Sequence, residues 1–190
     1  MIKKISILLI IFICCIIPHA IFAENANDVH INASLFSGTS FLHIEGKSFG
    51  TKMVPVAGIS LSSYFFPRNI FFYGVELAYM YSFKSNYNNY YYYDSYSSLS
   101  LLPHLGIHFQ TPSLTYFFLL GGGGSISFSR YLSKNYFIAS AGAGIYFKKF
   151  FIDGLLLSYN HSFFKNFTVF ETLKVHAIIH LWRKNQSSSK

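Results

Sequence analysis

A chain of 190 residues, 52% of them hydrophobic, is long enough to form one domain with a sizeable core. Charged residues are only 12% of it, against roughly 25% in ordinary soluble domains, while aromatics reach 20%. The formal net charge is +8, but no tight basic cluster accompanies it, so a nucleic-acid partner is not expected.

The chain opens on Lys3 and Lys4, then an apolar run from Ile5 to Ile17, then Pro18, and "IFA" before Glu24. A basic start, a short apolar run and a small residue predict a secretory signal peptide cleaved after Ala23. The run is shorter than the ~20 residues a spanning helix needs. Cys14 and Cys15 lie within it, so the exported chain is expected to carry no disulfide. The expected organisation is residues 1–23 as signal peptide, 24–182 as one β-barrel and 183–190 as a polar tail.

From there strict alternation takes over, and a period of two places alternate side chains on opposite faces of a strand. Eight strands are predicted near residues 29–41, 53–66, 69–83, 95–110, 114–129, 136–147, 150–162 and 171–182. In the first, Ile31, Ala33 and Leu35 oppose His30, Asn32 and Ser34. In the third, Phe71, Tyr73, Val75, Leu77, Tyr79 and Tyr81 oppose Gly74, Glu76, Ala78 and Ser82. In the fifth, Leu114, Tyr116, Phe118 and Leu120 oppose Thr115, Gly121, Gly123 and Ser125. The last sets Leu173, Val175, Ala177, Ile179 and Leu181 against Lys174, His176 and His180.

The joints alternate as well. "HIEGKSFGTK", "KSNYNNYYYYD", "RYLSKN" and "FFKNFTVF" are long, while "PR", "TPS" and "KK" are short. Outer-membrane barrels have short periplasmic turns and longer outer loops, which puts both termini in the periplasm. A soluble barrel would scatter charge over its outer face. Here the charges crowd into joints and strand ends, and Glu76 and Lys174 both fall on the Gly/Ser/His face. The other face is Leu, Ile, Val, Ala, Phe and Tyr, as lipid contact requires, and a closed barrel leaves no backbone edge unpaired in lipid. The predicted fold class is therefore all-β: an eight-stranded antiparallel up-and-down transmembrane barrel, in the outer membrane of a diderm bacterium.

The stretches "FFPRNIFFYGVELAYMYSF" and "YFIASAGAGIYFKKFFIDGLLLSYNHSF" each join an aromatic strand end, a tight turn and a strand with inner glycines. In this pattern, over about Asp28 to Trp182, the chain resembles the small OmpA/OmpX-type outer-membrane β-barrel superfamily. That family usually ends its last strand on an aromatic residue at the chain terminus. Trp182 is the corresponding aromatic here, but "RKNQSSSK" follows it. Aromatic girdles are expected at both rims. Phe65, Phe66, Phe71, Phe109, Phe147, Phe151 and Trp182 are assigned to the periplasmic one, and Tyr79, Tyr81, Phe128, Tyr131 and Phe163 to the outer one.

Three candidate sites emerge. The inner face carries Glu76, His104, His108, Lys174, His176 and His180, which could form a packed polar plug or ligate a metal. The plug is the preferred reading, with Glu76 neutralised by Lys174, because buried charges are normally paired. No metal or cofactor is expected. Lipid A deacylases use the same barrel with a His-x-Ser pair and a later Glu. "NHSFFKNFTVFE" offers His161, Ser162 and Glu171, but adjacent residues on a strand face opposite ways and cannot form a dyad. The third candidate is the run Tyr87, Tyr90, Tyr91, Tyr92, Tyr93 and Tyr96, in the longest joint. It reads as rim architecture or as a contact surface, since tyrosine gives large contact area at low entropic cost. The expected role is a monomeric, non-enzymatic barrel contacting outer-membrane lipid and a host or envelope surface ligand. The alternative is an enzyme that modifies membrane lipid.

Overall fold

A computed structural model describes residues 28–44, 52–66, 70–83, 85–87, 91–93, 95–128, 135–147, 151–163 and 168–185. The predicted signal peptide, residues 186–190 and most of the long joints lie outside them. The strands are β1 (Asp28–Ile44), β2 (Lys52–Phe66), β3 (Phe71–Ser82), β4 (Ser85–Tyr87), β5 (Tyr91–Tyr93), β6 (Tyr96–Gln110), β7 (Leu114–Ser127), β8 (Asn135–Phe147), β9 (Gly154–Phe163) and β10 (Thr168–Asn185). Eight of them close a barrel in the order β1-β10-β9-β8-β7-β6-β3-β2, and β4 pairs with β5 as a separate hairpin. Every pairing is antiparallel.

The register is staggered, as closure of a tilted sheet demands. From Leu173 a paired row passes through Tyr159, Ala141, Leu120 and Leu105 to Tyr73. In the other direction it passes through Thr39 and Pro55, whose carbonyl accepts from the Phe83 amide. The two ends of the row arrive ten residues apart, at Tyr73 in β3 and at Phe83 just past its end. This row therefore slopes from the long-joint rim, near Leu173, to the short-turn rim, near Tyr73.

Alternation divides the wall as its side-chain chemistry requires. Leu35, Ile59, Leu105, Leu120, Leu157 and Val175 are exposed on the outside, while Asn32, Ser60, Ser100, Ser140, Ser158 and Thr172 are buried inside. Inner glycines make room for rings from the neighbouring strand. A Cβ at Gly58 would overlap the ring of Phe36, and one at Gly106 would overlap that of Phe72. The lumen is thereby filled in layers. Towards the short-turn end Tyr64, Phe66, Phe72, Phe117, Leu119, Tyr146, Leu156 and Ile178 form one apolar cluster.

Three expectations are corrected. Phe66 is not in the periplasmic girdle: it points into the lumen and stacks on Phe72 at 5.0 Å, because alternation puts it on the face opposite Phe65, which is itself buried against Val29 and Tyr73. Tyr96 is not a loop residue. It opens β6 and is buried, with its hydroxyl bonded to Ser40 and Ser82 inside the barrel. The strand also does not stop at Trp182. Arg183–Asn185 continue β10 and pair with Asp28–His30, so a polar tail can begin only at 186. A bulge at Leu181 separates the Ile31–Trp182 pair from the Asn32–His180 pair. It explains how Leu181 and Trp182 are both exposed, at 59% and 46%.

Candidate functional site

The six inner residues expected to act together lie in two layers. The middle layer holds Glu76 from β3, His104 from β6 and Lys174 and His176 from β10, all buried. His104 Nε2 lies 4.0 Å from Glu76 Oε2, and a hydroxyl from Ser60 bonds the same carboxylate. His176 is held at both ring nitrogens, 3.3 Å from Ser34 Oγ and 2.8 Å from Ser158 Oγ. Lys174 Nζ is 2.8 Å from Asn160 Oδ1, once that amide is turned to satisfy its neighbours, and 4.8 Å from the Phe36 ring centroid. Glu76 and Lys174 share this layer with opposite charges, but no direct ion pair joins them: the expected neutralisation acts across the layer and not by contact. His176, Lys174 and one oxygen of Glu76 are thus tied to neighbouring hydroxyls and an amide, and His104 Nδ1 lies 3.4 Å from the Tyr64 hydroxyl. Glu76 Oε1 and His104 Nε2 find no hydrogen-bond partner among the described residues, so the buried polar layer is only partly satisfied.

His108 and His180 belong to the layer below, near the short turns. His108 packs edge-on against Phe66 at 5.0 Å. His180 is the middle of a chain that sequence reasoning missed. Its Nδ1 lies 3.5 Å from Asp153 Oδ2, its Nε2 lies 3.1 Å from His30 Nδ1, and its backbone amide donates to Asp153 Oδ2 at 2.6 Å. His30 had been assigned to the inner face. What was missing was the closing register, which brings the start of β1 against the end of β10. Among the described residues no group of three or more His, Cys, Asp or Glu side chains is placed to hold a metal ion.

On the outer wall, His161 and Ser162 part as their adjacency requires: Ser162 is buried in the lumen while His161 faces out. His161 does meet Glu171. The two are paired across β9 and β10, with Nδ1 to Oε1 at 3.7 Å, and the Tyr159 hydroxyl lies 3.5 Å from His161 Nδ1. Two residues along from His161 on the same face stands Phe163, whose ring packs against it at 4.5 Å. No serine occupies that position.

In the long joint after β3, Ser85, Asn86 and Tyr87 pair with Tyr93, Tyr92 and Tyr91, so part of the tyrosine run builds a hairpin above the barrel. Tyr90 lies outside the described residues.

No protein-family model matches the chain, and no curated protein does. Solved structures do match. The outer membrane enzyme PagL is 16% identical, covering 78% of this chain and 98% of its own, at a TM-score of 0.57. Neisserial surface protein A is 10% identical, covering 78% and 96%, at 0.52. Ail, the attachment invasion locus protein of Yersinia pestis, in complex with the heparin analogue sucrose octasulfate, is 16% identical, covering 84% and 99%, at 0.51. These likenesses show the fold: the chain shares the small eight-stranded β-barrel of these outer-membrane proteins. One such fold carries both an enzyme and surface proteins, so it does not by itself give the role.

Proposed function

We propose that this chain is a surface-contact barrel, in which a plugged lumen supports outer loops that bind an anionic ligand at the cell surface. The observation that carries this reading is the filled interior. Among the described residues, aromatic rings and a buried polar layer fill the lumen, so what the barrel binds is expected to meet its loops or its wall. The long joints carry Lys47, Lys84, Arg130, Lys134 and Lys165 against Glu45 and Asp94. Such an excess favours a polyanion, bound with strong salt dependence. The complex of Ail with sucrose octasulfate offers a probe. Titrating it into the barrel in nanodiscs should give saturable binding that weakens as salt rises. Replacing residues 88–94 by a short Gly/Ser loop together with Lys84→Gln should leave a folded barrel that binds it less well. Unchanged binding would remove the tyrosine loop from the reading, and no binding by the parent chain would remove the polyanion.

The likeness to PagL and the His161–Glu171 contact favour a second reading, an enzyme acting on membrane lipid. It lacks a nucleophile, since Ser162 is inside the barrel and Phe163 stands where a His-x-Ser motif needs its serine. We therefore read the chain as a non-enzyme. Outer-membrane lipid profiles of deletion and parent strains should be identical, and a deacylated species found only in the parent would restore the enzyme.

A further inference from the structure

The outer wall is not uniformly apolar. Tyr159, His161 and Glu171 form a polar cluster on it, with 29% of the His161 side chain and 33% of the Glu171 side chain exposed. Their height is set by β9, whose ten residues match the ~9–11 that a tilted strand needs to cross the hydrocarbon. His161 is two residues from the long-joint end of β9, so the cluster stands at the level of outer-leaflet headgroups. A carboxylate is tolerated on a lipid-facing wall near that interface and disfavoured below it.

Directly beneath the cluster a groove of about 1140 Å³ begins at Leu173 and Tyr159. It crosses β8 over Ala141 and Ala143 and continues past Leu120 towards Tyr73. This is the sloping row of the register, so the groove descends from the outer rim towards the periplasmic rim. Five strand spacings of ~4.8 Å give it a length of roughly 24 Å, enough for an extended acyl chain. The alanines make the floor, and the taller side chains of Leu120 and Leu157 stand on either side.

We propose that this wall binds one outer-leaflet lipid whose head bears a primary ammonium, with that head at Glu171, His161 and Tyr159 and an acyl chain in the groove. Lipid is the occupant because the wall faces the bilayer. The headgroup follows from charge: the Glu171 carboxylate attracts a cation, and carboxylate, imidazole and phenol oxygen together can accept N–H donors. A quaternary ammonium has the charge but no N–H to give, and an anionic head is repelled.

The test is native mass spectrometry of the barrel released from detergent micelles. It would be titrated with phosphatidylethanolamine, phosphatidylcholine and phosphatidylglycerol of identical acyl chains. One phosphatidylethanolamine should be retained about tenfold more tightly than either of the others, a difference of ~1.4 kcal/mol. Glu171→Gln should bring it down to the phosphatidylcholine level. Ala143→Phe should fill the groove and weaken binding while leaving the polar cluster intact, and Leu61→Phe, on the opposite wall, should change nothing. A folded-versus-boiled gel shift would verify each barrel, and Ala141→Leu would replace Ala143→Phe should that variant not fold. Equal retention of the three lipids, or full retention by Glu171→Gln, would overturn the proposal.

Discussion

His104 Nε2 lies 4.0 Å from Glu76 Oε2, and the two side chains are only 1% and 6% exposed. Glu76 also interacts with the charge of Lys174, so neutralising one partner strands the other inside the barrel. Glu76→Gln or Lys174→Met alone should cost roughly 3–5 kcal/mol. The double substitution should cost less than the two single losses added together. Urea titrations followed by the folded-versus-boiled gel shift would measure all three, and strictly additive losses would sink the coupling.

Phe66 and Phe72 stack within the apolar cluster, while Phe71 is 61% exposed on the outside. Phe66→Ala should therefore cost roughly 3–5 kcal/mol, as large-to-small core changes do. Phe71→Ala should cost much less. With the plug intact, the purified barrel should show no steady ion conductance in planar bilayers. A reproducible open-channel step would contradict the filled lumen.

Neighbouring glycines on β7 make a sharp comparison. A Cβ at Gly123 would overlap the backbone carbonyl of Leu101, whereas one at Gly124 meets nothing within 4 Å. Gly123→Ala should destabilise the barrel by roughly 1–3 kcal/mol, and Gly124→Ala should stay within about 0.5 kcal/mol. Equal effects in the same unfolding assay would mean that the β6–β7 approach is looser than described.

Membrane depth is open to spin labelling. Labels at Leu77 and Leu157 should report the hydrocarbon interior. Labels at Phe71 and Trp182 should report one interface, and labels at Tyr79 and Tyr81 the other. A reversed ranking of oxygen against polar relaxant accessibility would refute the topology.

The architecture was legible because a wall between lipid and lumen imposes one rule on every residue. Alternation alone identified Leu35, Leu105 and Leu157 as outward and Glu76, His104 and Lys174 as inward. The same rule separated His161 from Ser162. It was misapplied to Phe65 and Phe66: both look like girdle residues by type, yet adjacent residues cannot share a face. What sequence could not supply was register. The chain Asp153–His180–His30 joins β1 to β10 across nearly the whole sequence. The His161–Glu171 contact likewise depends on a residue-to-residue pairing that periodicity does not number. Tyr96 was misread because composition groups it with the loop tyrosines, whereas its parity places it with Ser98 and Ser100 inside.

The seam between β1 and β10 runs the full length of both strands, to Asp28 and Asn185, while β9 has only ten residues. At ~2.5 Å of height per tilted residue, β9 stands roughly 25 Å tall and the seam more than 40 Å. The surplus must lie in water. Backbone pairs within the hydrocarbon cannot open without exposing bare amides to lipid, but those in the surplus can breathe. Amide exchange should therefore enter the barrel where Asp28–Ile31 meets Trp182–Asn185 and halt at the level where β9 begins. The first and last strands made thus form a zipper whose lower teeth are wet, and the membrane locks the remainder.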